Sequence, residues 1–343
     1  MGLSERIEDA PEQEEIGAGA EAARKETETQ GATRTVRVMT YNVLAGGWPR
    51  VDALEAVMRA AQADIIGAQE IRKRTLLELA DRLGMYSARA ISPRLGSAVG
   101  LLSRWPLRDV NLHATAPLRN ALLEAVVEPE GSAPVRVFVA HLAARYTAWR
   151  AGESVRLREL AYILAQMRAS SVMGEPQLLM GDFNSLPPGE RLLASNLLLH
   201  TAENDVRRAQ GDDLTGQPGV RRVLPAPLRP LGAALVGLAG LPPVARAFDQ
   251  VAAVYVPRDV VRRTRAAGYA DLYTLAHPDP GQREMSCPSR NPAGRIDYIF
   301  ASPELASGLA ECELLSDSPA SPVSHASDHR PMLATLALAA RSA

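Results

Sequence analysis

The sequence predicts an α/β (α+β) protein in which two packed β-sheets carry helices on their outer faces. Three features point there. Apolar strand segments recur along the chain, helical segments fall between them without strict βαβ alternation, and several strands meet a polar cluster. With 343 residues, 46% of them hydrophobic and 22% charged, the chain can bury a large core without disulfide or metal staples.

Residues 1–33 hold Glu, Ala, Gly and Thr with almost no large apolar side chains. Such a segment cannot offset its own ordering entropy, so a disordered acidic tail is expected. It has no apolar signal-peptide core, and no run of about 18 apolar residues occurs anywhere, so a cytoplasmic location is expected.

From Thr35, Val36, Val38 and Thr40 alternate with Arg37, Met39 and Tyr41, which is strand period. Leu54, Val57, Met58 and Ala61 give helical spacing over Val51–Gln62. Asp64–Ala68 reads as a short strand ending at Gln69-Glu70, and Arg74–Leu83 as an amphipathic helix stopped by Gly84. Ala98–Ser103, Leu122–Glu128 and Val135–Ala140 read as strands, about Ser154–Ala169 as a helix, and Gln177–Met180 as a strand. Arg295–Ala301 and Pro331–Ala339 close the chain.

Residues 34–343 are expected as one domain with an insert at about 205–260. The insert carries Arg207, Arg208, Arg221 and Arg222, the apolar run Leu231–Leu241, and Pro242-Pro243. The run is too short to span a bilayer. It reads as a buried helix or helical hairpin packed on the domain; the functional alternative is a lid over an apolar substrate or an interfacial segment.

Lys plus Arg total 38 against 39 Asp plus Glu, a net charge of −1, which argues against holding nucleic acid chiefly by bulk positive charge. Lys25 and Lys73 are the only lysines; this is ascribed to a GC-rich genome rather than to phosphate forks. Cys287 and Cys312 are too few for a metal quartet or disulfide framework and read as free and half-buried.

Six segments pair an apolar strand with groups that bind metal or phosphate: Met39-Thr-Tyr-Asn42, Ile66-Gly-Ala-Gln-Glu70, Phe138-Val-Ala-His141, Leu179-Met-Gly-Asp-Phe-Asn184, Arg295-Ile-Asp297-Tyr-Ile-Phe and Ser327-Asp328-His329. Each alone is weak, because an Asn after a strand is usually a turn former. Together, in this order, they are a strong signal. The blocks TYNVLAG, IIGAQE, AHL, GDFN, RIDYIF and SDHRP closely resemble the motifs of the endonuclease/exonuclease/phosphatase superfamily over about residues 35–339. The resemblance implies a four-layer sandwich of two packed mixed β-sheets flanked by helices, with the active site where the sheets open at one edge. It also implies a metal-dependent phosphoric ester hydrolase.

Phosphodiester hydrolysis needs a metal, an activated water, charge stabilisation and help for the leaving oxygen. Glu70 is the best primary ligand, Asn42 offers a neutral oxygen beside it, and Asp328 supplies a second carboxylate. This hard-oxygen set suits Mg²⁺ or Mn²⁺, and no Cys or His cluster competes for zinc. The resemblance gives Asp182 the attacking water and Asn184 an amide contact to phosphate or nucleophile. It makes Asp297 the carboxylate partner of His329, which suits the pentacovalent phosphate. His141 matches the second histidine of the family, at the phosphate or leaving group.

Arg156 reads as a structural ion pair, Trp48 and Tyr146 as packing more than cleft lining, and His325 as loop. Ser286-Cys287-Pro288-Ser289 reads as rim, and Asp212-Asp213 as a solvated turn. Substrate choice lives in loops. The first reading is a phosphodiesterase on a small or lipid phosphoester. The second is a nuclease on DNA or RNA, using Arg207, Arg208, Arg221, Arg222, Arg262 and Arg263 as a basic rim. A non-catalytic binding module is disfavoured because every catalytic position is filled. The partner expected is a phosphoester substrate; nucleic acid and transient membrane-surface contact stay open, and no obligate protein partner is inferred.

Overall fold

Strand-period side chains sort to two different cores in the computed structural model, which describes residues 34–92, 97–144, 149–211, 217–224 and 226–341. The expectations for the 1–33 tail, Tyr146 and Asp212-Asp213 lie outside the described residues. In β1 (Arg34–Gly46), Val36 and Val38 face one core while Met39, Tyr41 and Val43 face another. β2 (Ile65–Ile71), β3 (Tyr86–Ile91), β4 (Ala98–Ser103), β5 (Leu107–His113), β6 (Leu122–Val127), β7 (Val135–His141) and β8 (Gln177–Asp182) follow. β9 (Ala270–Asp271), β10 (Asp297–Ala301), β11 (Leu309–Leu314) and β12 (Met332–Leu338) complete the strands. They form two six-stranded sheets, ordered β11-β12-β1-β2-β4-β3 and β5-β6-β7-β8-β10-β9.

The inner faces of the sheets meet in a core that includes Val38, Ile65, Val99 and Leu101 from one side and Leu123, Val137, Val139, Met180 and Ile299 from the other. Contact is close: a Cβ built on Gly67 would stand 2.5 Å from Met180 Sδ. Outside the first sheet lie α1 (Val51–Ala61) and α2 (Lys73–Leu83), which bury Leu54, Val57, Leu76 and Leu79 against Met39 and Tyr41. Gly84 ends α2 at φ 64°, where the left-handed conformation favours glycine. Outside the second sheet lies α3 (Trp149–Ser170), with Leu160, Ile163 and Met167 on Phe138 and Leu179. The result is the four-layer α/β sandwich.

The remaining helices are α4 (Ala194–Ala209), α5 (Val220–Val223), α6 (Gly232–Ala239), α7 (Pro242–Tyr255), α8 (Asp259–Ala266), α9 (Leu272–Ala276), α10 (Pro303–Ala306) and α11 (Val323–Ala326). No helix among the described residues is long and apolar enough to cross a membrane.

Two expectations need correction. The 231–241 run is not buried: it forms α6 and the start of a hairpin with α7, and Leu231, Leu238 and Leu241 are exposed. Only a small core of Leu198, Leu224 and Ala239 holds the insert together, which leaves too little inward surface for the apolar side chains it carries. Strands β3, β5 and β11 were not expected. Their burial patterns lack clean alternation because all three are sheet edges, each with a single neighbouring strand.

Candidate active site

Chain direction explains how the six segments meet. β1 and β2 are parallel, as are β7 and β8, so Asn42, Glu70, His141 and Asp182 arrive at the same ends of their strands. β10 runs antiparallel to β8 and β12 antiparallel to β1, so they begin where the others finish. The sequence pattern of a strand followed by a polar cluster therefore holds for only part of the set. Asp297 opens β10, and Asp328-His329 precede β12, after α11. His141 and Asp297 both pair in register with Asp182, so three functional side chains share one rung.

Gly181 is required beside that rung. Its φ is 151°, and a Cβ there would stand 1.8 Å from the Ala140 carbonyl oxygen. Among the described residues, four of the six non-glycine residues with positive φ also belong to the site blocks: Leu44, Ala45, Glu70 and Asn184. Each such conformation costs on the order of 1 kcal/mol or more and persists because the surroundings fix it.

Asp182 is the hub. Its Oδ2 accepts from the Asn42 amide at 3.1 Å and stands 3.5 Å from His141 Nε2 and 3.9 Å from His329 Nε2. The Asn42 amide also donates to Glu70 Oε1 at 3.3 Å, and Glu70 Oε2 accepts from the Ala45 backbone at 2.7 Å. His329 Nδ1 bonds Asp297 Oδ2 at 2.9 Å. That oxygen also accepts from Ser286 Oγ at 2.6 Å. Ser327 Oγ donates to the Asn42 carbonyl at 2.6 Å, which fastens the 327–329 turn to β1.

Asn184 does not continue the β8 strand beyond Asp182. At φ 47° it sits in a turn, its backbone N–H donates to Asp182 Oδ1 at 2.8 Å, and its amide donates to the Leu142 carbonyl at 2.9 Å. The turn supplies the N–H that orients Asp182.

Burial and the neighbouring Asp297 push the Asp182 carboxyl up to about 6, against the opposing pull of His141 and His329. Burial alone would strip the proton from His329, but Asp297 reverses it and holds the imidazole well above its usual value. Burial would also raise Glu70, yet His141, the Ala45 N–H, His329 and Asn42 together hold it below the ordinary range. Asp328 is raised by burial, with Glu70 adding repulsion.

These features test whether a cation fits. Glu70 is ionised, Asp328 feels its charge, and Asp328 Oδ1 is buried with no hydrogen-bond partner among the described residues. An ionised Glu70 acting on a nearby Asp328 whose own Oδ1 is buried without a hydrogen-bond partner among the described residues suits a hard divalent cation. Asp182, Asp297 and His329 also place ligand atoms within 4.8 Å of one another. There, however, the imidazole is bonded to Asp297 and held as a cation, an arrangement suited to proton handling more than to a metal.

Among the lesser candidates, Arg156 is the structural ion pair expected, bonded to Glu153 at 3.0 Å. Trp48 is exposed with the Arg74 guanidinium 3.9 Å from its ring centroid, and His325 is exposed. Of the expected basic rim, Arg208 is neutralised by Asp205 and Arg262 by Asp259.

Sequence reasoning assigned no role to Ser286 beyond the rim and none to Arg295. Ser286 Oγ orients Asp297 and also accepts from the Ile296 and Asp297 N–H groups. Arg295 is fully buried, bonded to Glu190 and Asp271 at 2.6 to 3.1 Å, and braces the start of β10. The signal available was the arginine that opens RIDYIF.

Residues 39–329 match the model of the Endonuclease/Exonuclease/phosphatase family. No curated protein matches the chain by sequence. Among solved structures, it is similar to an endonuclease/exonuclease/phosphatase from Beutenbergia cavernae, at 19% identity and TM-score 0.57, covering 89% of this chain and 72% of that one. It is similar to an AP endonuclease from Archaeoglobus fulgidus at 14% identity and TM-score 0.56, covering 88% and 99%. It is also similar to the 3′ phosphatase NExo from Neisseria, bound to a product DNA hairpin, at 15% identity and TM-score 0.52, covering 87% and 98%.

Proposed function

The chain belongs to the endonuclease/exonuclease/phosphatase family, and from that premise we propose that it hydrolyses a phosphoester by attack of water on phosphorus with Mg²⁺ or Mn²⁺. The observation that supports this most is the convergence on Asp182 of Asn42 and His329 from the side of one sheet and His141 and Asp297 from the other.

Glu70 and Asp328, with Asn42 beside them, would hold the cation, which supplies Lewis acidity to a phosphate oxygen and charge neutralisation. Asp182, pushed up to about 6, is ionised at neutral pH yet basic enough to take a proton from the attacking water. The His329 cation donates a hydrogen bond to the phosphate as charge develops on its non-bridging oxygens, and Asp297 keeps it charged. His141 and Asn184 contact the phosphate from the rung and from the turn. Residues 34–343 act as one catalytic unit, with 205–260 as an appended insert.

The substrate we favour is a small or lipid phosphodiester, because net charge is near zero and the insert is apolar at its surface. A nuclease is the second reading, favoured by the likeness to an AP endonuclease and to a phosphatase bound to a DNA hairpin. A metal-supplemented screen of bis-p-nitrophenyl phosphate, sphingomyelin, inositol phosphates and plasmid DNA separates them. Asp182→Ala and His329→Ala should each lower turnover at least about a hundredfold with folding retained. EDTA should abolish activity, with Mg²⁺ or Mn²⁺ restoring it. Near-normal turnover in either variant, or rescue by zinc alone, would overturn the assignment.

A further inference from the structure

The apolar surface that the insert leaves in water is not explained by chemistry at the sheet edge. α6 and α7 already pack an inner face, through Leu235, Val236, Ala239 and Phe248, onto Leu198 and Leu224. Their outer faces are apolar too. Ala234 and Leu238 on α6, with Leu231 just before it and Leu241 just after, recur at intervals of three and four residues, and all four are exposed. Val244, Ala247, Val251 and Val254 repeat that spacing along α7, with Val254 80% exposed. Half of the exposed large apolar side chains among the described residues fall between Leu228 and Val254. A patch of this kind marks an interaction site rather than an ordinary solvated face.

The charges on it have one sign. Residues 217–255 contain four arginines, at 221, 222, 229 and 246, and a single acid, Asp249. Asp249 is turned to the interior, accepting from the backbone N and Oγ of Ser195 at 2.8 and 3.0 Å. All four arginines are exposed. Among the described residues, Arg229 and Arg246 donate only to the backbone carbonyls of Leu224 and Pro242.

We propose that this face seats on an anionic phospholipid surface, with the two stripes in the headgroup–acyl boundary and the arginines against lipid phosphates. A second copy of the chain fits less well. A two-fold contact would set the arginines against their own copies with no acid in the patch to neutralise them. A nucleic-acid strand would meet leucine and valine where it needs aromatic platforms. The seat is linked to the site through α4 and one loop. α4, on which the hairpin packs, is tied by Asn196 and Leu193 to the carbonyls of Pro292 and Ala293. That loop carries Ser286, bonded to Asp297, and Ser289, bonded to the Asp328 carbonyl. The docking rests on this surface alone and stands whether or not lipid is hydrolysed.

The full chain is sedimented with vesicles of phosphatidylcholine, alone or mixed with phosphatidylglycerol. Binding to the anionic vesicles should be at least roughly tenfold the stronger and should fall as salt is added. R229Q/R246Q should cost roughly tenfold on anionic vesicles only. L238S/L241S/V251S should weaken binding to both kinds. These side chains are exposed, so the circular dichroism spectrum and hydrolysis of soluble bis-p-nitrophenyl phosphate should match the parent. The proposal is overturned if the parent does not sediment with anionic vesicles, or if the leucine–valine variant binds like the parent. It is equally overturned by a dimer lost in that variant, or by DNA binding lost in the arginine variant, when vesicles are not bound.

Discussion

Replacing Asp297 with Asn removes one charge from the proton-handling trio while keeping its shape. The amide oxygen can still accept from Ser286 Oγ, so β10 should keep its register. The effect on His329 follows from the opposing forces on it. Burial pushes the imidazole below 6.5, and Asp297 is the main cause that reverses this. With that carboxylate gone, burial meets less opposition, the imidazole comes down from its raised value, and fewer molecules carry the proton at pH 7. Because the ring then turns neutral, no unpaired buried charge remains and the stability cost is modest. Loss of a charged donor to the phosphate should lower kcat/KM by about 10²- to 10³-fold. A second shift has the opposite use: Asp297 raises Asp182, so the acid limb of the pH–rate profile, near 6 in the parent, should move lower. The His329 ring-proton resonance is followed by NMR across pH in metal-free protein, beside kcat/KM against pH. An unchanged titration of His329, or a rate within about threefold of the parent, would refute the reasoning.

Two further predictions concern the scaffold. Arg295→Met leaves Asp271 to Arg265 alone and Glu190 to the longer contact with Arg283, at a cost of about 3 kcal/mol, and should lower Tm by at least about 5 °C. Asp271 is driven up by burial but held at about 2 by Arg295 and Arg265, so its contribution of about 2 kcal/mol is present above pH 4 and lost as pH falls toward about 2. Acid-unfolding curves of the variant should lack part of that loss; an identical acid limb counts against the pairing. Gly181→Ala should destabilise by about 3 kcal/mol or more and reduce activity, because its Cβ meets a backbone carbonyl that no rotamer can move; a folded variant of parental Tm and rate would contradict the close approach.

Elements with strong period were legible in the sequence. Ala98–Ser103 matches its expected bounds, and α2 stops at Gly84 as read. Burial on both faces makes central strands such as β7 and β8 continuous apolar runs, whereas β5 and β11, half in water, leave no such trace. The site was legible as residue types, because carboxylates, amides and histidines stand out beside apolar strands. What the sequence did not carry was direction. That Asp297 and His329 enter from the opposite sense to Asp182 depends on β10 and β12 being antiparallel to their neighbours, a matter of topology. The buttress of Arg295 escaped for a similar reason: its partners Glu190 and Asp271 are 105 and 24 residues away.

The Asn42–Asp182 hydrogen bond joins one sheet to the other, so the spacing between the two sheets is itself a setting of the reaction centre. That spacing is held by side chains far from any phosphate, Met180 lying over the bare backbone of Gly67 among them. Bulk added at this seam would act like a shim under a hinge, altering the bite between Asn42 and Asp182 with every reacting group still in place. Variation confined to the oily interior thus gives evolution a way to retune turnover without editing a single polar residue.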